Sequence, residues 1–599
     1  MALLNESSRS WRPYEADHDI LLRISRRDIV DDEWGSFLTA VCTTVLVVSM
    51  VSTFYWVLWK PYSKRRFYEK QGISGPVFRP FIGNLPEIRE LHRGVPKLGG
   101  QISESPARRV GTELFVFSEK YGKISVFEQG SMTRMILADA KLAKDVLLSK
   151  AGYYKKSVLT SEVVSAIAGH GSILTAEGGN WKQKNQIMSP AFRHTFLKGL
   201  FHQIVERGDD LVTKWQKAIN NAADIKQGAA EVAVDLDVPE TLLDIIIRTT
   251  FGSTSGIEGS DIYAVHDAVN FMTGVAGKRQ RGYARLIPGY SFFPTATNIN
   301  FWIKKRAMVK VLTKIVSARM KVANDLKGSS IIAKAGSRQS SVYGSDVLGM
   351  MLEAMNEGNS NMTASQVLDE CTVFFLATDS PTSLLLMWSL LLLAQNPDWQ
   401  QRARSEVQEV LGAEDTPQVD NLANLKLMDM ILNETLRLYP PVPAITRDAS
   451  EVHQLGSVTI APGTNVIIPM SVLNQSKEIW GQDAHLFKPD RWEVKNLHTN
   501  GKNSAADGLN AATAAAATNS VNSFNNFMPF GGGNRICLGR NLARMTVKLL
   551  LAMLLRRFSF SVSPSYCHAP GRGGNNLWPK FGIQLLIKNV ENSEVTSTN

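Results

Sequence analysis

From Ser36 to Trp59 the chain runs through 24 residues, "SFLTAVCTTVLVVSMVSTFYWVLW", without a single charge. A helix of that length rises about 36 Å, enough to cross a hydrocarbon core with some tilt. Trp34, Trp56 and Trp59 stand at its two ends, where amphipathic rings prefer the interface. The segment is too long, and too far from Met1, for an ordinary secretory signal, and no small-residue cleavage pattern follows it. Its serines and threonines keep a buried soluble helix as the bland alternative. Lys60, Lys64, Arg65, Arg66 and Lys70 follow the run, whereas Arg23, Arg26 and Arg27 before it mix with Asp28, Asp31, Asp32 and Glu33. That bias predicts one span over 34–59, with everything after residue 60 in the cytosol.

The remainder of the 599 residues is globular in composition, 44% hydrophobic and 20% charged, which excludes a disordered chain. Length alone suggests several domains, although large single-core enzymes reach this size. Cys42, Cys371, Cys537 and Cys567 show no CxxC spacing, so neither a disulfide framework nor a zinc site is expected. The net charge of +11 comes without an arginine-rich tract or zinc-finger spacing. It therefore argues for an acidic protein partner or anionic lipid and against nucleic acid.

Residues 1–33 are polar and aperiodic, expected as a lumenal extension, and 60–75 read as a basic linker broken by proline and glycine. Helical patterns dominate from about Val110, and runs such as "SVTIAPGTNVIIP" (457–469) suggest hairpins between them. The serine- and glycine-rich 326–346 reads as a loop, and the alanine- and asparagine-rich 500–523 as a surface insertion. The expected fold class is mainly α with small β-sheets (α+β), with 76–599 forming one catalytic domain.

"FMPFGGGNRICLGR" (527–540) sets Cys537 between a glycine-rich turn and apolar positions at Leu542, Met545, Leu549, Ala552 and Met553, one face of a helix. At a helix N-terminus, free N–H groups and the dipole stabilise a thiolate. The glycines permit a tight turn and close approach of a flat ligand. Phe530 offers a ring to such a ligand, and Arg535 a cation for an acidic group on it. A nucleophile would need a histidine base, yet the nearest downstream is His568; a phosphate loop would need a GK[ST] that does not follow. A bulky metal cofactor held by one axial thiolate fits what is left.

The motif F-x-x-G-x-R-x-C-x-G, met by Phe530, Gly533, Arg535, Cys537 and Gly539, resembles the haem-binding signature of the cytochrome P-450 family. Further motifs follow the family's order. "ETLRLYPP" supplies Glu434 and Arg437, and "FKPDRW" supplies Arg491 and Trp492. "GNWKQKNQIMSPAF" and "HAPGRGGNNLWPKFG" are similar to the family's C-helix and its C-terminal hairpin. "QGISGP", "FIGN" and "SPAF" are similar to the land-plant clan with hormone- and terpenoid-modifying members. The resemblance spans nearly everything from Pro61 onward.

It implies the family's fold behind one membrane helix, a b-type haem (heme b, iron protoporphyrin IX) and Cys537 as axial ligand, whose thiolate favours O–O cleavage. It implies that Glu434, Arg437 and Arg491 form a structural ion network behind the haem loop. Arg535, Arg447 and the indole of Trp181 match groups that hold haem propionates. The family usually sets an arginine four residues after that tryptophan; here stands Asn185, with Lys182 and Lys184 alongside, so propionate anchoring is expected to be weaker there or taken over by a lysine. The implied partners are NADPH–cytochrome reductase with cytochrome b5 as a second donor, membrane lipid and a small apolar substrate. The implied location is the endoplasmic reticulum.

One departure bears on chemistry. In "FFLATDSPTSLLLMW" (374–388) the family pattern [AG]-G-x-[DE]-T-[TS] meets Thr378 for its glycine, Ser380 for its acid and Pro381 for its threonine. In the family that acid and alcohol hold water and relay protons. Asp379 and Thr382 flank the vacated pair, each displaced by about 100° around the helix, and they carry the relay only if Pro381 distorts the turn. Two readings follow: a reductase-fed monooxygenase hydroxylating a small apolar substrate, or a haem-thiolate isomerase or dehydratase rearranging a peroxide without a reductase. Arg540, Arg544 and Lys548 near the haem loop favour a docked electron donor.

Overall fold

A computed structural model describes residues 37–94, 106–222, 229–252, 259–287, 289–328, 342–344, 346–356, 362–412, 418–493, 527–573 and 576–590. The expected extension at 1–33 and the insertion at 500–523 lie outside these residues. The chain divides into two compact units, Met1–Ser63 and Lys64–Asn599. The division falls inside the stretch expected as a linker.

Helix α1 (Phe37–Glu69) is long and apolar enough to cross a membrane, and none of its apolar window is buried against protein. Its hydroxyls do not oppose this. Thr43 donates to the Thr39 carbonyl at 2.8 Å and Thr44 to the Ala40 carbonyl at 2.7 Å, so the polar groups are spent on the helix's own backbone.

The larger unit is mainly helical with small sheets, as expected. One sheet has the order β1-β2-β5-β4-β3, built from β1 (Ile124–Gln129), β2 (Met132–Leu137), β3 (Tyr154–Lys156), β4 (Ile445–Ala449) and β5 (Asn465–Ile468). Its pairs are antiparallel except β2 with β5, and on its edge Lys156 lies opposite Arg447. A second sheet joins Ala229–Ala233, Gln584–Asn589 and Phe558–Val562. Two hairpins lie at 453–460 and 570–579; the β-branched run 457–469 does not pair with itself, because Val458–Ile460 pairs back onto His453–Leu455 while Asn465–Ile468 joins the first sheet.

Four helices position the site: α2 (Gly178–Met188), α3 (Ala364–Gln395), α4 (Lys426–Leu438) and α5 (Arg540–Arg557). Helix α3 starts cleanly because Thr363 and Gln366 form a reciprocal capping box. Every residue from Leu384 to Leu393 is buried, so this apolar helix is the core of the unit. Trp388 anchors it, stacking on Tyr439 with ring centroids 4.3 Å apart and donating to the Leu577 carbonyl at 3.2 Å. On the opposite side of α4, Trp480, Ala484 and Trp492 form a small apolar cluster, and Trp492 meets Phe527 at 4.6 Å between centroids. The chain thus enters the Cys537 loop from a fixed point.

Candidate haem-thiolate site

The loop bearing Cys537 closes on itself: the Cys537 N–H donates to the Phe530 carbonyl at 3.0 Å. Gly531 and Gly533 make the turn at φ of +77° and +65°. At Gly533 a Cβ would lie 2.3 Å from the Leu147 carbonyl oxygen, so no other residue fits. Gly539 caps α5, and the backbone N–H groups of Gly539 and Arg540 face the Cys537 sulfur. The side chain has open surface, yet the recess around it is desolvated. Desolvation wins over those amides and the Arg540 guanidinium and pushes the thiol above its ordinary range. A bound metal cation reverses that balance and deprotonates a coordinating thiol outright. Cys371, by contrast, is fully buried and pushed up much further, an inert core thiol.

The structure brings Glu434, Arg437 and Arg491 together. Arg437 donates to both Glu434 carboxylate oxygens at 2.8 Å, and to the carbonyls of Asn474, Ala484 and Leu486. Glu434 also accepts from the Lys488 backbone at 2.9 Å and the Trp492 indole at 3.0 Å, with Arg491 Nε 3.4 Å away. Arg491 itself donates to the Trp480 and Asp483 carbonyls. One carboxylate therefore gathers α4, the 480–492 segment and the entry to the haem loop.

A concentration of cations gathers at Arg535, two residues before Cys537. Arg535 rests 4.3 Å over the Trp181 ring and donates to the Ala176 carbonyl at 3.0 Å and to the Glu177 carboxylate. Arg447 donates to the Thr446 carbonyl at 2.9 Å, and across the strand pair Lys156 Nζ donates to the carbonyls of Ile173 and Leu174 at 3.0 and 2.6 Å. Burial, then Arg535 and Arg447, pull Lys156 down to about 7; burial, then Arg535, lowers Arg447 as well. Cations that repel one another in a desolvated recess next to a thiol suit a flat, metal-bearing ligand with anionic arms. A haem fits on both counts.

The lysine expected to compensate on α2 does not do so from there. Lys184 is buried and turned to Glu370 on α3, 3.1 Å away, while Lys182 is exposed. The cation that does join the cluster, Lys156, was missed. Its one sequence signal is alternation: Tyr154 is buried and Lys155 exposed, which puts Lys156 on the inward face of β3.

Across from the loop, the Phe374 ring stacks on Phe192 at 6.3 Å, and a Cβ at Gly539 would sit 3.9 Å from the same Phe192 ring. This face of α3 opens at Ala377, Ser380 and Pro381. Helix α3 remains α-helical on both sides of Pro381, with no change of helix type at the turn. Thr382, beside Pro381, is only 6% exposed. The side chain of Asp379 lies outside the described residues. Two of the basic residues offered for a docked donor are also reassigned: Arg544 and Lys548 bind Asp429 at 3.0 and 2.8 Å, and Lys548 is buried.

Comparison with known proteins agrees with this geometry. The sequence profile of the cytochrome P-450 family matches residues 91–577. Two cytokinin hydroxylases of Arabidopsis thaliana are 31% and 30% identical over 560 and 555 residues, covering 92% of this chain and 98% of each relative. Secologanin synthase 2 of Catharanthus roseus is 31% identical over 564 residues, covering 92% of this chain and 97% of the relative. Matched by profile through the first sheet, the core helix and the cysteine loop, and aligned with such relatives over most of its length, the chain belongs to the cytochrome P-450 family of haem-thiolate oxidoreductases.

Proposed function

We propose that this protein is a membrane-anchored monooxygenase that hydroxylates a small apolar substrate, using dioxygen and electrons passed from NADPH by a reductase. The observation that carries the proposal is the Cys537 recess, with two backbone N–H groups at the sulfur and a cation cluster beside it. When bound, the haem supplies dioxygen activation and transfer of one oxygen atom to a C–H bond. Cys537 would hold its iron through a thiolate, whose charge the N–H groups of Gly539 and Arg540 would stabilise. Phe530, packed partly buried against the core, would offer its ring to the bound group. Arg535, Arg447 and the Trp181 face serve the propionates, and Glu434, Arg437 and Arg491 keep the loop in register. The hydroxylase and synthase names of the relatives support this reaction class without naming a substrate. Helix α1 and the basic residues that follow it support an anchor in the endoplasmic reticulum membrane with the rest of the chain in the cytosol, within reach of a reductase and cytochrome b5.

On α3, Pro381 has no N–H to donate, so the Ala377 carbonyl is free to accept from a water. Ser380, on the same open face, offers a hydroxyl to that water. With Thr382 buried, Ser380 is the better placed proton donor, and Asp379 and Thr382 act only if the turn opens further.

A second reading keeps its own support. An open face with Ser380 and Pro381 in place of an acid and a threonine suits an isomerase or dehydratase that rearranges a peroxide without outside electrons. The deciding experiment has two arms. The reduced protein with carbon monoxide is expected to show the red-shifted Soret band of thiolate-ligated haem, lost in Cys537→Ala and kept in Cys371→Ala and Cys567→Ala. Turnover is then expected to require NADPH, reductase and oxygen together. Product formed from a peroxide substrate alone would overturn the monooxygenase reading in favour of the second.

A further inference from the structure

We propose that Lys156, together with Arg447 and Arg535, holds the two haem propionates, so that a lysine from strand β3 replaces the arginine that Asn185 displaces on α2. The proposal rests on the haem-thiolate reading of Cys537 and extends it to a residue outside the motifs.

The first support is charge. Lys156, Arg447 and Arg535 bring three basic groups into one recess, and Glu177, held by the Arg535 side chain and the Lys156 backbone N–H, is the acid among them. Glu370 also feels Lys156, but its charge is matched by buried Lys184. The basic groups outnumber the acid in a desolvated place, so charging all three is costly unless anions join them. A haem brings two carboxylates.

The second support is placement. Lys156 and Arg447 are direct cross-strand partners, and such partners share a face of the sheet. Lys156 Nζ spends two of its three donors on the Ile173 and Leu174 carbonyls, which leaves one donor and fixes the ammonium in place. Arg535 is fixed in the same way by the Ala176 carbonyl and the Trp181 ring. Both cations are thus clamped by the 173–177 segment before any ligand arrives, and that pre-organisation lowers the ordering cost of binding.

The third support is elimination on α2 itself. Lys184 is engaged with Glu370, and Lys182 points to the exposed side of the helix.

The test measures haem loss from the full-length, membrane-reconstituted protein to excess apomyoglobin, for haem and for haem dimethyl ester, which lacks both negative charges. A charge-assisted hydrogen bond of this kind is expected to change the loss rate about tenfold or more. Lys156→Met should speed loss of haem by that factor and leave loss of the dimethyl ester nearly unchanged. Lys156→Arg should stay within a few-fold of the native protein for both, and Lys182→Met should behave as native. Equal acceleration of both ligands in Lys156→Met would mean that the lysine only braces the 173–177 segment, and the proposal fails. Selective loss in Lys182→Met, with Lys156→Met native-like, would return the role to α2 and also overturn it. A chain that takes up haem in neither form overturns the reading of Cys537 and this proposal with it, whereas an intact Soret band with unchanged haem selectivity overturns this proposal alone.

Discussion

Glu434 and Arg437 face each other through two parallel hydrogen bonds of 2.8 Å, and neither side chain has any exposure. The pair stands one helical turn apart on α4, so its geometry is set by the backbone. Removing one partner leaves the other charged and buried, which costs about 3–5 kcal/mol. Glu434→Ala is therefore expected to fail to hold haem, and its unfolding temperature should drop by many degrees. Glu434→Gln, which keeps one acceptor for Arg437, should fall between the two. Haem-to-protein ratio and thermal unfolding check this, and a stable, fully loaded alanine variant would contradict it.

The open face of α3 sets a second expectation. Ser380→Ala should slow turnover and divert reducing equivalents to peroxide while haem content stays normal, since proton transfer by a positioned group is typically worth 10²- to 10⁴-fold. Thr382→Val, at a position only 6% exposed, should do less. Product and peroxide formed per NADPH consumed separate the two. The reverse order of effects would place the relay on Thr382 and show that the turn at Pro381 opens in the working enzyme.

How much of this was legible beforehand depended on distance along the chain. The Cys537 loop could be read because its parts are local: the turn, the helix start and the thiol all fall within 527–540. Glu434 and Arg437 were legible because a three-residue spacing on a helix fixes one face. Lys156 was not, since its neighbour Arg447 comes from a strand 291 positions away and only the sheet register joins them. The charges of Arg544 and Lys548 were visible, but Asp429 on a different helix turns them inward. Pro381 could be seen to free a carbonyl, but whether the helix broke there depended on packing along its whole length.

Glu128 on β1 carries a pH signature. It is wholly buried, neither carboxylate oxygen has a hydrogen-bond partner, and the Arg65 guanidinium is 3.8 Å away. Desolvation outweighs Arg65, is reinforced by Glu69, and pushes the acid up to about 7 from 4.5. The folded state therefore holds this proton more tightly than the unfolded one. Stability from this group is fully present below pH 4.5 and is lost as pH rises through about 7. Glu128→Gln removes the dependence, so the variant should gain on the native protein between pH 5 and 8, by on the order of 3 kcal/mol at most. A constant difference in unfolding temperature across that range would refute it.

A final expectation concerns lipid. Phe292 is 81% exposed, and Tyr283, Ile287, Phe293, Trp302 and Ile303 are exposed with it. A Cβ at Gly130 would lie 2.8 Å from the Leu286 side chain and 3.8 Å from the Phe81 carbonyl, so exposed Val77 and Phe81 adjoin the same region. Apolar surface of this extent marks an interaction site. Protein lacking residues 1–59 should still sediment partly with phospholipid vesicles, and Phe292→Asp with Phe293→Asp should abolish the remainder. Protease added outside sealed microsomes should digest the larger unit of the intact protein; protection would reverse the orientation inferred from Lys60 to Lys70.

The contact between Trp492 and Phe527 has a practical consequence. The two rings stand on either side of residues 494–526 in the sequence and hold their centroids 4.6 Å apart. Lengthening the chain between two fixed ends is cheap, at about 0.6 kcal/mol for each doubling. The position is thus a ready port for cargo: an affinity handle, a fluorescent reporter or a whole tethered redox domain can be spliced between Glu493 and Phe527 while Trp492 keeps the cysteine loop where it is.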